Sequence, residues 1–371
     1  LFGVNIIRVT IHNPSGLVRV PWVTLADGTR RPTLAQVAAL AGVSVMTASY
    51  VYNQPGRVSP EARAKVFAAA EQLGYAGPDP KARSLRRGTT RSLGIVLGEH
   101  LSYAFEDPQA SSFLAGIAQV CAESGYSMTI LPIGSADEDA GRVGSAAVDV
   151  FVVWTTADDD PVLDALRASK RPTVVHSGPA VPWAGLVSID NQAAAYAIGA
   201  AAFAGCRIPA VLSFPVTRER LSTMTTGAGI SRVTYPVTRD RLAGFRQAAE
   251  DAGHAWRDVV VAICTRNDRR EAHQMAKSLL GLDRAPDAIA AMSDEQAAGA
   301  FLAAAETGRS VPGQLAITGW DDDTVAGELG LTTIGQSLYE QGAACARAAL
   351  GREHPPERAP WSLILRTSTR R

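Results

Sequence analysis

The chain has 371 residues, 46% hydrophobic and 19% charged, and its 36 Lys and Arg balance 36 Asp and Glu. That is enough apolar chain for two or three domains with substantial cores, and no apolar run reaches the roughly 18 residues of a membrane span, so a soluble cytoplasmic protein without a membrane partner is expected. The neutral total hides an asymmetry: residues 30–91 hold ten Lys or Arg against Glu61, Glu71 and Asp79, a net of +7, while residues 92–371 are net −8. A basic head on an acidic body suits a polyanion touched at one end. Cys121, Cys206, Cys264 and Cys345, and the six histidines, are scattered without ligand spacing. Buried free thiols in a reducing compartment are expected, with no metal and no cofactor.

Residues 1–31 carry a short apolar start, turn signals at Asn13-Pro-Ser-Gly16 and Asp27-Gly28, and a weak hairpin pattern at 19–24. A disordered leader is expected, since the apolar run is too short and too polar for a signal-peptide core. From residue 32 the pattern turns helical. Leu34, Val37, Ala38 and Ala41 recur at i, i+3, i+4 and i+7, and Gly42 stops the helix and permits a tight turn. Ser44 stands as an N-cap able to accept from the amide of Thr47. Ala48 and Val51 then point inward, leaving Val45, Met46, Ser49 and Tyr50 on the outer face. Ser59-Pro60-Glu61 opens a third helix, whose Ala62, Val66, Ala69, Ala70 and Leu73 complete a small core before Gly74. Residues 32–78 are therefore expected to form a helix-turn-helix domain, followed at 79–91 by a basic linker containing Lys81-Ala-Arg-Ser-Leu-Arg-Arg-Gly88.

Beyond residue 92, apolar runs at 93–97, 128–133, 148–154, 173–176, 210–214, 259–264, 288–292 and 315–319 alternate with helical segments. That alternation predicts parallel α/β structure, and its length favours two lobes over one sheet. Ligands of such sheets lie beyond the carboxyl ends of the strands. The informative residues there are Asp190-Asn191, Arg241, Ser293-Asp294 and Gly319-Trp-Asp-Asp322. Arg241 can hold two hydroxyls or a carboxylate through its fork, Asp294 and Asp321 can accept from sugar hydroxyls, and Trp320 offers a flat face to a pyranose. Asp190 and Asp294 can equally open the helices that follow them. The Ser-, Thr- and Gly-rich segment 217–234 reads as a loop insertion without assigned function. Its Gly227-Ala-Gly229 lacks the rest of a dinucleotide fingerprint, and no enzyme is expected.

Thr33-Leu34, Val37-Ala38, Ala41-Gly42-Val43-Ser44, Thr47, Ser49, Val51, Asn53 and Val58-Ser59, joined to Ala82-Arg83-Ser84-Leu85-Arg86, carry a resemblance to the lactose/galactose repressor (LacI/GalR) family of bacterial transcription regulators. It extends over nearly everything after residue 31. The resemblance implies an α helix-turn-helix DNA-binding head plus an α/β bilobal periplasmic-binding-protein-like (type I) effector domain over 92–371. Lobe one would comprise 92–187 and 338–355, and lobe two 188–337 and 356–371. It implies phosphate contacts from Thr33, Ser44, Thr47, Ser49, Asn53, Arg57 and Ser59, and base reading by Val45, Met46 and Tyr50. Leu34, Ala82, Arg83 and Arg86 complete the implied DNA contacts, with Leu85 wedged between base pairs from the minor groove. Tyr50 stands where arginine is commonest, so apolar contact to thymine methyls is expected in place of a guanine fork.

In the family's cleft Arg241 and Asp321 occupy ligand-contacting positions, His176 replaces a frequent Asp, and Ser293 replaces an Asn. The implied function is a repressor acting as a homodimer on a pseudo-palindromic double-stranded DNA operator, controlled by a carbohydrate bound between lobes. A sugar-binding transport component of the same body fold is the alternative, but it would need a secretory signal and no DNA-reading head.

Overall fold

The computed structural model describes residues 32–77, 89–98, 101–134 and 136–369. The expected leader, its hairpin and the hinge residues Ala82, Arg83, Leu85 and Arg86 lie outside the described residues. The chain divides into two compact units, Leu1–Arg86 and Arg87–Arg371.

In the first unit α1 (Leu34–Ala41), α2 (Val45–Asn53) and α3 (Pro60–Leu73) each begin at a hydroxyl cap, Thr33, Ser44 and Ser59 respectively. Thr33 forms a reciprocal capping box with Gln36, whose Oε1 accepts from the Thr33 amide at 2.8 Å. Gly42 ends α1 at φ +64°, a left-handed conformation that suits glycine, and the axis bends by 109° into α2. Val37, Ala38, Ala48, Val51, Val66, Ala69 and Ala70 fill the core. Ala62, expected among them, is only partly buried, because it lies in the first turn of α3.

The second unit holds two five-stranded sheets. The first, in the order β2-β1-β3-β4-β5, comprises β1 (Ser92–Leu97), β2 (Ser127–Pro132), β3 (Val150–Trp154), β4 (Thr173–His176) and β5 (Gly185–Val187), all parallel. The second, in the order β10-β9-β6-β8-β7, comprises β6 (Pro209–Ser213), β7 (Thr223–Thr226), β8 (Val260–Ile263), β9 (Ala288–Ala291) and β10 (Ala316–Thr318). Only β7 runs antiparallel there, on the edge beside β8. A short pair, β11 (Thr333–Gly335) and β12 (Ser362–Ile364), completes the strands.

Between them lie α4 (Tyr103–Glu106), α5 (Pro108–Ser124), α6 (Ala136–Ser145), α7 (Val162–Ser169), α8 (Asn191–Phe203), α9 (Pro236–Asp251), α10 (Arg269–Leu280), α11 (Asp294–Glu306), α12 (Thr324–Leu329) and α13 (Leu338–Ala349). Helices cover both faces of each sheet, so central strands are apolar on both sides. In β3, Val150, Val152 and Trp154 enter one core while Phe151 and Val153 enter the other.

All eight expected strands are present, but β5, β7, β11 and β12 were not foreseen. Three of them are only three residues long, and β7 is a threonine-rich edge with almost no buried face, so none has a periodic signal. Segment 217–234 is thus partly a strand, which corrects its reading as a simple loop insertion. No single helix among the described residues is long and apolar enough to cross a membrane.

Helix α13 returns to the first sheet after the chain has built the second, and packs along α5. Glycines set that approach: a Cβ on Gly116 would lie 1.9 Å from the Tyr339 carbonyl oxygen, and one on Gly342 2.2 Å from that of Phe113. The close contact positions Leu338 and Gln341 on the first turn of α13 beside β4. Gly342→Ala is expected to push the two helices apart and to destabilise the second unit by about 2 kcal/mol. A fall in the urea midpoint checks this; an unchanged midpoint would show that the crossing has room to spare.

Candidate functional site

On the head, the first turn of α2 presents Val45 and Met46 at 52% and 64% exposure. Tyr50 is half-buried on the same helix. The neighbouring polar side chains brace the helix. Ser44 Oγ accepts from the Thr47 amide at 3.0 Å and lies 2.8 Å from its hydroxyl, and Asn53 Nδ2 donates to Ser49 O at 3.0 Å and to its Oγ at 3.2 Å. Ser59 Oγ accepts from the Ala62 amide at 3.3 Å, and Arg57 is exposed just before it. Leu34, also expected at the DNA, is partly buried and packs along the edge of the head core. Two apolar side chains held outward, amid hydroxyls, amides and a cation, form a surface that can meet base methyls and phosphates together.

In the second unit a cleft opens at the carboxyl ends of both sheets. Trp154 and His176 end β3 and β4 on one side, and Phe214 and Asp321 follow β6 and β10 on the other. Tyr103, Asp107, Tyr235, Asn267 and Gln336 also line it.

Arg241, from the first turns of α9, is 6% exposed. Its guanidinium carbon lies 3.7 Å from the Trp320 ring centroid and 5.5 Å from that of Phe214. Nε donates to Asn191 Oδ1 at 3.0 Å and Nη1 to the Met292 carbonyl at 2.5 Å. Burial lowers its pKa to about 10, opposed by Asp321, so the group stays a cation at neutral pH. Asp321 accepts from Gln336 Nε2 at 2.7 Å through Oδ1, and its amide donates to the Ile334 carbonyl at 2.8 Å. Burial pushes its carboxyl upward against the pull of Arg241. Asp321 and Asp322 adopt φ of +109° and +56°, backbone strain of a kind found where a side chain must be aimed. A cation and a carboxyl thus face one cleft, with aromatic walls beside them.

The other expected cleft residues are placed differently. Asp190 caps α8, accepting from the Ala193 amide at 3.0 Å, and it is the next residue, Asn191, that holds Arg241. Ser293, not Asp294, caps α11, and its hydroxyl donates to Asn267 Oδ1 at 2.6 Å. Asp294 is fully buried, accepting from Thr333 Oγ1 at 2.8 Å and the Asp323 amide at 3.0 Å, and burial pushes its pKa up to about 7. Trp320 is also fully buried, with Arg241 on the ring face expected to take a pyranose. A guanidinium stripped of water gains cation–π attraction from that face, so Arg241 occupies it. His176, Arg241 and Asp321 therefore meet at the cleft, while Asp190, Ser293, Asp294 and Trp320 support it from outside.

Trp154 and Phe214, which line the cleft without having been among the expected site residues, carry the same strand-end signal as those that were. Asp107 and Asn267 carried none: Asp107 caps α5 and accepts from Asn267 Nδ2 at 2.7 Å across the cleft.

Further bonds join the two sides at the cleft mouth. Asp158, Asp159 and Asp160, just after β3, face Arg239, Arg232 and Arg218. Arg232 Nη2 lies 2.5 Å from Asp159 Oδ2 and Arg218 Nε 3.7 Å from Asp160 Oδ2. The Asp158 amide donates to the Thr234 carbonyl at 2.8 Å, and Arg220 Nη2 to that of Gly98 at 2.7 Å. Three of these arginines lie in segment 217–234, which therefore straps one side of the cleft to the other. Among the described residues no group of three or more His, Cys, Asp or Glu is placed to hold a metal ion.

Comparison with known proteins bears on both units. Residues 33–77 match the family described as "Bacterial regulatory proteins, lacI family", and residues 224–369 match "Periplasmic binding protein-like domain". An HTH-type transcriptional regulator of Mycobacterium tuberculosis is 35% identical over 323 residues, covering 84% of this chain and 89% of that one. A LacI-family transcriptional regulator of Corynebacterium glutamicum has a crystal structure that aligns with a TM-score of 0.69 at 29% identity, over 92% of this chain and all of that one. The structure of a CelR–cellobiose complex aligns with a TM-score of 0.61 at 27% identity, over 91% and 100% of the two chains.

Each exposed ion pair of the strap contributes at most about 1 kcal/mol and weakens with salt. Replacing Arg218, Arg232 and Arg239 together by alanine is expected to widen the cleft at low ionic strength and to abolish its response to added salt. Pulsed EPR distances between spin labels on the outer faces of the two lobes measure this; identical distance distributions in parent and variant would contradict a strapping role.

Proposed function

Because the chain belongs to the lacI family of bacterial regulatory proteins, we propose that it is a sequence-specific repressor whose hold on its operator is set by a neutral carbohydrate bound between the two lobes. The observation that carries the reading is the joint presence, in one chain, of an outward apolar pair on a capped recognition helix and a cleft holding a buried arginine opposite a carboxyl. Val45, Met46 and Tyr50 read base edges in the major groove. Thr33, Ser44, Thr47, Ser49, Asn53, Arg57 and Ser59 hold phosphates, fixing register without choosing sequence. Ala82, Arg83, Leu85 and Arg86 belong to a hinge at 79–91 that enters the minor groove, with Leu85 as the wedge. Leu34 acts from within, its packing setting the angle of α1.

In the cleft, Arg241 and Asp321 supply a fork donor and an acceptor to vicinal hydroxyls, and His176 supplies a third polar contact. The walls at Trp154, Phe214 and Tyr235 cover the apolar face of a sugar ring. CelR, similar over nearly the whole chain, is complexed with cellobiose, and this makes a β-linked disaccharide the first ligand to test. Lobe one (92–187 and 338–355) closes on lobe two (188–337 and 356–371), and the change of closure shifts the paired hinges of a homodimer on a pseudo-palindromic site. A coupling of a few kcal/mol changes occupancy tenfold or more. The protein acts in the cytoplasm, beside the chromosome, as a binding protein and not an enzyme.

Selection from random-sequence duplexes is expected to enrich a pseudo-palindrome, and cellobiose to change its affinity at least tenfold. Arg241→Ala should keep that affinity within about twofold and lose the response. Failure to enrich any duplex, or a full response in Arg241→Ala, would overturn the reading.

A further inference from the structure

Four side chains form one file of hydrogen bonds from lobe to lobe along the cleft. His176 Nε2 lies 2.9 Å from Gln341 Oε1, Gln341 Nε2 donates to Gln336 Oε1 at 3.0 Å, and Gln336 Nε2 donates to Asp321 Oδ1 at 2.7 Å. Each amide is engaged through both its oxygen and its nitrogen, so the file has a direction. With Asp321 ionised beside the Arg241 guanidinium, the file ends on an accepting carboxylate, which turns each glutamine's oxygen toward His176. An amide oxygen only accepts, and His176 must therefore carry its ring hydrogen on Nε2. That leaves Nδ1 with a bare lone pair.

Nδ1 is buried and has no hydrogen-bond partner among the described residues. The ring is 3% exposed, lines the cleft, and is wedged between Phe113 and Trp154 at centroid distances of 4.6 Å and 5.3 Å. It has little room to turn and find another partner. Burial also depresses its pKa to about 4, so the ring is neutral at pH 7. A buried acceptor without a donor is costly, and a bound molecule that supplies a hydrogen recovers that cost.

We infer that Gln341 is a positioning residue that fixes His176 as a hydrogen-bond acceptor, so that the cleft demands a hydroxyl donor from its ligand at Nδ1 and rejects a carboxylate or phosphate there. An anionic group would set lone pair against lone pair. A hydroxyl joins the file, which then runs from the ligand through His176, Gln341 and Gln336 to Asp321, and so ties both lobes to one molecule. Gln336 lies in the short segment between β11 and α13, where the chain passes from one lobe to the other. The ligand half of this inference rests on the carbohydrate reading above; the tautomer half does not.

The test is nitrogen-15 NMR of the histidine rings in the full-length protein, with His176 assigned through His176→Asn. The ring is expected in the Nε2–H form without ligand at pH 7, and Gln341→Leu is expected to release it into a mixture of both tautomers. An Nδ1–H ring in the parent, or a ring indifferent to Gln341→Leu, would overturn the positioning role. Calorimetry with cellobiose should show about tenfold weaker binding to Gln341→Leu, the size of one lost hydrogen bond. Equal affinities would overturn the ligand half. If cellobiose does not bind the parent protein at all, the carbohydrate reading fails, and the tautomer measurements decide the inference alone.

Discussion

A guanidinium almost sealed from water is the constraint around which the cleft is built. An uncompensated charge there would cost several kcal/mol, and the fold compensates it from every side. Trp320 gives its ring face, Asn191 and the Met292 carbonyl accept its hydrogens, and Asp321 brings opposite charge from a strained turn. These groups come from α8 and from just beyond the ends of β9 and β10, and they converge on an arginine carried by α9. What the protein leaves of Arg241 faces the cleft.

The lobes are joined by contacts of two kinds. At the mouth, three aspartates meet three arginines in partly exposed pairs that water and salt can loosen. Along the cleft, glutamines and a histidine make a file that is buried at its His176 end and partly buried toward Asp321. The first kind suits an interface that must open and the second one that must register what is inside. A closure balanced between them can be shifted by a ligand that adds only a few bonds.

Much of this was legible in the sequence. The head was readable residue by residue because caps, a left-handed glycine and helical periodicity all speak locally: Ser44, Gly42, Ala48 and Val51 stand where their chemistry put them. The eight expected strands were readable because buried parallel strands lie within continuous apolar runs of the sequence. Trp320 misled because its neighbour in space, Arg241, is 79 residues away in the chain, and no local pattern says which arginine will claim a ring. Asp294 looked like a helix cap and a ligand, yet Ser293 takes the cap and Thr333 the carboxylate. The strap was invisible for the same reason, since Asp158–Asp160 and the arginines that meet them lie about 60 to 80 positions apart.

Ligand control of a repressor requires that binding at the cleft and binding of operator be coupled, and coupling of binding energies is reciprocal. The direct measurement is therefore the affinity of the purified protein for cellobiose, by calorimetry, with and without saturating operator duplex. Operator is expected to change cellobiose affinity by the same factor, and in the same direction, by which cellobiose changes operator affinity. Cellobiose that binds the cleft equally well in both states would contradict that coupling.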